Sequence, residues 1–300
     1  MTSDTPNSRL PVLLAVLCYV IWGVVPLFYM PIHAFGGGAI EIIAHRSVWA
    51  FIWAGGLVFA VKQWPDVRNA LANPVMRWLL LLSSILVATN WGVYVWAVTN
   101  GHTIESALGY YLNPLLNMAA GALLFRERID NWGKTAIGLA VVGVAIQAAA
   151  IGHVPWVALI LAGTFGSYGI LRKQLQVPAL AGLFVETAYL FLPALIYIVW
   201  FETTGQGHFL KAPINAFWFL LTGPVTVLPL VLFAFAARRL PLSTIGFIQF
   251  VGPTLTFFIG LMQGEPFSTL RGVSFAFIWL GAVVFALGAW RRLRAVKLAA

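Results

Sequence analysis

Long apolar runs alternate along this chain with short breaks that are polar or contain Gly and Pro. Each run approaches the roughly 20 residues that a membrane-spanning helix needs. The ten runs cover residues 10–30, 40–61, 78–99, 103–125, 133–151, 155–171, 180–200, 214–237, 243–263 and 272–290. Because they are continuous rather than alternating, they predict helices and exclude a transmembrane β-barrel. The pattern therefore predicts an all-α polytopic membrane protein with ten transmembrane helices.

Composition agrees with this class of protein. The chain is 61% hydrophobic and 9% charged, whereas a soluble domain has about 25% charged residues. Ten spans leave only short connectors, so no sizeable soluble domain is expected. The one cysteine, Cys18, excludes an intramolecular disulfide.

Basic residues are distributed unequally between the two sides of the predicted membrane. Of 18 Lys and Arg residues, 15 fall in segments on one side, only Lys211 and Arg271 on the other, and Arg46 lies inside a span. Cytoplasmic loops carry the excess of Lys and Arg, which predicts the cytoplasmic (inner) membrane with both termini in the cytoplasm. The net charge of +9 then indicates contact with anionic membrane lipids and no nucleic-acid partner.

The two halves of the chain resemble each other. Residues 96–128 align with 235–266, and this places Asn113-Pro114 on Gly252-Pro253. Helices one to five therefore correspond to helices six to ten. Because five is odd, the second unit enters the membrane from the opposite side, which predicts two inverted five-helix repeats. The predicted division is 10–151 for the first repeat, 153–292 for the second, and 1–9 and 293–300 for cytoplasmic tails.

Inverted-repeat transporters hold their substrate near the midplane, often where helices are interrupted. Pro114 and Pro253 both fall about 15 Å deep, near the middle of a roughly 30 Å core. Proline removes a backbone donor and frees a carbonyl, so Pro114, Gly252 and Pro253 are candidate hinge or gating residues. The alternative is a kink that serves packing only.

Polar and aromatic side chains at this depth are candidates for binding a small-molecule substrate in a midplane cavity. They are Asn90, Trp91, Tyr94, Tyr111, Asn113 and Gln249, together with the charged Arg46 and Glu186. For the aromatic residues, packing or lipid contact is the alternative. The buried amides need hydrogen-bond partners.

Arg46 and Glu186 are charged residues within predicted spans, where charge is costly and indicates function by default. Arg46 lies about 9 Å below the outer edge and Glu186 a similar distance from the inner edge, so a direct bridge is not expected. Glu105 is the better expected partner for Arg46. Arg46 is predicted to hold an anionic group or gate the outer side, and Glu186 to bind a proton or an amine. The alternatives are outward snorkelling or a structural tie for Arg46, and a structural carboxylate for Glu186.

Several stretches resemble a known transporter family. They are "IWGVVPLFY", "EIIAHRSVWAF", "NWGVYVWAV", "SALGYYLNPL", "GALLFRER", "VETAYLFLPALIY" and "STIGFIQFVGPTL". From about residue 10 to 290 the chain is similar to RarD proteins of the EamA branch of the drug/metabolite transporter superfamily. The resemblance implies ten helices, inverted repeats, alternating access around a central cavity, and small-molecule transport without a fixed substrate. RarD proteins were named for chloramphenicol sensitivity.

The sequence thus predicts a secondary-active transporter of drug/metabolite type, with amino-acid-like substrates as one option and protons as a further candidate partner. No H-E-x-x-H or G-x-S-x-G motif occurs, and all three aspartates lie outside the predicted spans, so no enzyme is expected. No metal or cofactor is expected either. A channel-like facilitator and a non-transport sensor or scaffold are the alternative functions. Both monomer and homodimer remain open.

Overall fold

The computed structural model describes residues 9–113, 130–237, 239–240 and 248–299. Over these ranges the chain forms eleven helices and no strand. The helices are α1 (Arg9–Ala34), α2 (Ala39–Ala60), α3 (Trp64–Ala72), α4 (Pro74–Thr99), α5 (103–113, up to the limit of the described range), α6 (Asn131–Ile151), α7 (Trp156–Gln174), α8 (Ala179–Thr203), α9 (Pro213–Ala237), α10 (Val251–Met262) and α11 (Thr269–Ala299).

Seven of the described helices are long and apolar enough to cross a membrane, and they account for most of the predicted spans. The seven are in α1, α2, α4, α6, α8, α9 and α11. Two shorter apolar helices, Trp156–Arg172 and Val251–Met262, correspond to two further predicted runs. The chain is therefore a multi-pass helical membrane protein.

One helix lies where the sequence analysis expected a connector. The segment Trp64–Ala72 forms α3, with a proline in its first turn and Asp66 near its N-terminus. Val67 and Ala70 are buried one turn apart, which is the spacing of one helix face. Proline at the start of a helix loses no intrahelical hydrogen bond. The polar break between the second and third predicted spans therefore contains a short helix in addition to connecting chain.

The predicted position of Pro253 in the interior of a helix also needs correction. The described chain turns at Gln249 and Phe250, and α10 begins at Val251. Pro253 thus lies in the first turn, where backbone N–H groups have no intrahelical partner. The break comes before the proline. Residues 241–247, the start of the predicted ninth run, lie outside the described residues.

Helices of the first half pack mainly against helices of the second half. α2 packs against α8 and α9, α4 against α7 and α8, α1 against α9 and α10, and α6 against α11. Glycines allow the closest approaches: a Cβ on Gly143 would lie 2.7 Å from Ile278 Cγ1, and one on Gly281 would lie 3.1 Å from the Ala136 carbonyl oxygen. This interface between α6 and α11 lies within one chain, as small residues on facing helices permit.

Candidate functional site

Arg46 lies on α2 and is 8% exposed. Its Nη1 donates a hydrogen bond to the Tyr29 hydroxyl on α1 at 3.0 Å. The guanidinium carbon lies 4.1 Å from the centre of the Trp91 ring on α4, a cation–π contact. The arginine is therefore held by a tyrosine hydroxyl and an aromatic face from two other helices.

The expected pairing of Arg46 with Glu105 is wrong. Glu105 accepts a hydrogen bond from the backbone N–H of Val157 at 3.0 Å and lies 3.5 Å from His102 Nδ1. None of the three ion pairs among the described residues includes Arg46. Its Nε is buried and has no hydrogen-bond partner among the described residues. Arg46 is thus a buried cation that has no carboxylate partner among the described residues.

Asn90 is close to this arginine but its amide is fully used by the protein. Its Nδ2 donates to the Leu161 carbonyl at 3.1 Å and to Thr164 Oγ1 at 3.0 Å. Its Oδ1 accepts from the Tyr110 hydroxyl at 2.9 Å. A buried amide needs such partners, so in this conformation Asn90 ties α4, α5 and α7 together, and its two N–H groups are both used by the protein.

Tyr94 connects the Arg46 region to α10. Its ring packs edge-to-face on Tyr110 at 5.6 Å between centroids, and its hydroxyl interacts with that of Thr256. Thr256 Oγ1 in turn donates to the Gly23 carbonyl on α1 at 3.2 Å. This chain of polar contacts joins helices from both halves of the sequence.

A second group of predicted residues lies along the contact of α5 with α10. The Tyr111 hydroxyl and Thr254 Oγ1 are 2.5 Å apart, and the Tyr111 ring stacks on Phe250 at 6.1 Å. Asn113 is fully buried, and neither side-chain atom has a partner among the described residues. Such orphaned amides are costly, so Asn113 is a candidate for a ligand contact.

The predicted hinge residues lie partly in this second group. Gly252 and Pro253 are buried in the first turn of α10, and Gln249 is half-buried at the preceding turn. A Cβ on Gly23 would lie 2.8 Å from the Gly252 carbonyl oxygen, so α1 and α10 approach closely here. Pro114 lies outside the described residues.

Glu186 on α8 is completely buried in a separate cluster away from Arg46. Its carboxylate accepts from Ser83 Oγ at 2.5 Å, from the Tyr168 hydroxyl at 3.2 Å and from Arg172 Nη1 at 3.3 Å. The Ser84 hydroxyl donates to its backbone carbonyl at 2.8 Å. These contacts tie α4, α7 and α8 together, the arrangement expected of a structural carboxylate.

The sequence analysis did not single out two residues that contact the buried charges, Tyr29 and Arg172. Tyr29 lies five residues before the end of α1 and Arg46 seven residues after the start of α2. At 1.5 Å per residue the two lie at similar depths, and that match was an available signal. Arg172 was counted only as a charge near the membrane edge, although a long arginine side chain can extend along a helix.

Carboxylates at the ends of several helices bind backbone N–H groups of other segments. Glu265 accepts from the N–H groups of Thr103 and Ile104 at the start of α5. Glu41 accepts from the backbone N–H of His208 at 2.7 Å and contacts its ring at 2.9 Å. Free N–H groups at a helix start favour a carboxylate. These contacts link the two halves at the ends predicted to face outward.

Comparison with known proteins identifies similar membrane transporters. The model of the EamA-like transporter family matches residues 9–148. An uncharacterized transporter of Pseudomonas aeruginosa is 43% identical, with 97% of each chain covered. The RarD protein of Escherichia coli K12 is 36% identical, with 95% of this chain and 97% of the relative covered. These family and protein descriptions indicate a membrane transporter rather than an enzyme.

A solved crystal structure shares the fold. It is 18% identical to this chain with a TM-score of 0.59, and the match covers 94% of this chain and 98% of the other. Its description names no function.

The chain of P. aeruginosa described as the chloramphenicol-sensitive protein RarD is 30% identical, with 85% of this chain and 87% of the relative covered.

Proposed function

Because this chain belongs to the RarD group of the EamA transporter family, we propose that it is a secondary-active carrier with alternating access. Its substrates are small organic molecules that carry an anionic group, a class that includes amino acids. The observation that carries this proposal is Arg46, a buried cation with no carboxylate partner among the described residues.

The surroundings of Arg46 favour an anion as the missing partner. Trp91 covers one face of the guanidinium and Tyr29 occupies one nitrogen, while Nε has no partner in the described part of the chain. An isolated buried charge is expensive unless it is paired and hydrogen-bonded. The planar guanidinium binds carboxylate or phosphate with two parallel hydrogen bonds. A substrate carboxylate would therefore supply the charge that the protein does not.

The pattern of helix packing supports two inverted repeats, 10–151 and 153–292. If α1, α2, α4, α5 and α6 correspond to α7, α8, α9, α10 and α11, each inter-half contact should have a counterpart with the roles exchanged. The contact of α2 with α9 has its counterpart in that of α8 with α4, and the contact of α1 with α9 in that of α7 with α4. The contacts of α2 with α8 and α6 with α11 are their own counterparts.

Such pseudo-symmetry is the basis of alternating access in inverted-repeat transporters. We assign Arg46, Trp91 and Tyr94 to the substrate site, with Tyr111, Asn113 and Gln249 as candidate contacts from the α5–α10 side. The turn at Gln249 and Phe250 precedes Gly252 and Pro253, so this segment is a candidate hinge. Protons are a candidate coupling ion, with Glu186 as the carboxylate that would accept one when its contact with Arg172 is broken.

The unequal distribution of Lys and Arg supports a location in the cytoplasmic membrane with both termini inside. In that orientation Arg46 lies nearer the outer side, and the Glu186 cluster lies nearer the inner side. The two charges would then lie at different levels of the membrane.

A ligand-shift melting screen on detergent-purified protein tests the proposal. The panel contains amino acids, small organic anions, nucleosides and amphenicols, with Arg46→Gln and Arg46→Lys beside the unmodified protein. Arg271→Gln is the matched control, because Arg271 is a partly exposed arginine bonded to a backbone carbonyl. A ligand present at about 100 times its Kd stabilises the native state by about 2.7 kcal/mol.

We expect an anionic ligand to raise the melting temperature of the unmodified protein and of Arg271→Gln, but not of Arg46→Gln. A ligand that shifts Arg46→Gln equally would contradict the role of Arg46. Carrier action is then tested in vesicles loaded with the same ligand. Unlabelled ligand inside should accelerate uptake of labelled ligand, whereas a channel-like facilitator would show no such acceleration.

A further inference from the structure

A cavity of about 310 Å³ opens where the ends of α2, α8 and α9 meet. Leu180, Leu183, Leu230 and Phe235 form much of its apolar wall. Two polar residues, Gln63 and Arg239, also line it. The cavity does not include Arg46 or any other residue assigned above to the substrate site.

The cavity lies at the ends of three helices, which places it at one boundary of the membrane. The apolar span in α9 covers Pro213–Phe233, and Arg239 follows the end of that helix. Gln63 follows the end of α2, and α8 begins at Ala179. Because three helix ends meet here, the apolar wall lies beside lipid chains while Arg239 lies at the level of the headgroups.

Arg239 provides a positive charge at the mouth of the cavity. Its guanidinium carbon lies 3.7 Å from the centre of the Phe235 ring, and its Nη1 donates to the Phe235 carbonyl at 3.1 Å. These contacts hold the side chain at the cavity, and its other N–H donors have no partner among the described residues. No ion pair found in the described ranges includes Arg239.

Gln63 adds an acceptor. Its Oε1 is buried and has no hydrogen-bond partner among the described residues. A carbonyl oxygen in an apolar wall is costly without a donor. The cavity thus combines an apolar interior, an acceptor that needs a hydroxyl or N–H donor, and a cation at its mouth.

We propose that this cavity binds an anionic phospholipid with a hydroxylated headgroup. One acyl chain occupies the apolar space between α2, α8 and α9, the phosphate contacts Arg239, and a headgroup hydroxyl supplies the donor for Gln63 Oε1. Phosphatidylglycerol has this chemistry. The bound lipid would hold together helix ends from both halves of the chain.

Native mass spectrometry of the full-length protein, delipidated and then mixed with equal amounts of phosphatidylglycerol and phosphatidylcholine, tests this site. A positive charge near a lipid surface contributes enough for about a fivefold preference. We expect one retained phosphatidylglycerol in the unmodified protein and about fivefold less in Arg239→Gln. Val231→Trp should remove retention of both lipids, because Val231 is exposed and lines the cavity, so the larger side chain fills it.

Two control variants match these changes elsewhere. Arg271→Gln removes a partly exposed arginine away from the cavity, and Val199→Trp enlarges an exposed valine on α8. Both should retain phosphatidylglycerol like the unmodified protein, and melting curves verify that every variant is folded. Equal retention of the two lipids, or the same retention in Arg239→Gln as in Arg271→Gln, would overturn the proposal. If Val231→Trp does not fold, the retention of phosphatidylglycerol by Arg239→Gln compared with Arg271→Gln tests the proposal by itself.

Discussion

Arg46 and Glu186 are both buried charges within membrane-spanning helices, but their surroundings differ. Glu186 is matched by Arg172 and receives further hydrogen bonds from Ser83 and Tyr168. Arg46 has only a tyrosine hydroxyl and an aromatic face among the described residues. A charge whose partner is in the protein serves the fold, whereas a charge without one is available to a ligand. Depth in the membrane alone therefore does not determine the role of a buried charge.

The largest expected effect is on stability at the Glu186 cluster. Removing one partner of a buried ion pair costs about 3–5 kcal/mol, so Glu186→Ala should lower the free energy of unfolding by about that amount. Replacing both partners, as in Glu186→Leu with Arg172→Met, should recover most of the loss. Denaturation in mixed micelles measures this. A loss below about 1 kcal/mol for Glu186→Ala would mean that the ion pair is not structural.

The opposite result is expected at Arg46. Arg46→Gln loses the hydrogen bond to Tyr29 but also removes an unmatched buried charge, so the two effects offset and the free energy of unfolding should change by less than about 1 kcal/mol. Ligand affinity should fall about 10- to 100-fold, because a hydrogen bond to a charged group contributes about 1.5–3 kcal/mol. Melting shifts against ligand concentration measure the affinity. A variant that unfolds readily while binding normally would reverse the comparison.

Space beside Arg172 gives a third test. A Cβ on Gly182 would overlap Arg172 Nη1, so Gly182→Ala should displace the guanidinium from Glu186 and cost about 1–3 kcal/mol. Gly138→Ala is the matched control, because no described residue lies within 4 Å of its added Cβ. That change should be neutral or stabilising by about 0.5–1 kcal/mol. Equal effects in the two variants would mean that the glycine does not position Arg172.

The smallest expected effect is at Tyr29. Tyr29→Phe keeps the ring and removes the hydroxyl that accepts from Arg46, which should cost about 1 kcal/mol of unfolding free energy. Without that hydroxyl Arg46 depends more on its ligand, so the melting shift caused by a bound anion should be at least as large as before. Loss of the shift would instead mean that Tyr29 positions Arg46 for binding.

Much of this protein was predictable because hydropathy is a local property. The apolar runs predicted its class and most of its spans, and the quoted stretches identified its family. Short segments were harder. The helix α3 was not predicted because its nine residues lie within a polar break, and the burial of one face depends on neighbouring helices. The start of α10 at Val251 depends on a turn that no apolar run indicates.

The sequence by itself determined which charges would be buried in the membrane, because a span buries whatever residues it contains. Only the tertiary structure decided their partners. Successive residues on a helix point about 100° apart, so residues at similar depth face different neighbours. Glu105, the expected partner of Arg46, instead binds the backbone of Val157, while Tyr29 and Trp91 reach the arginine. Helix rotation and packing, which no single segment encodes, placed one buried charge in an ion pair and left the other without a carboxylate among the described residues.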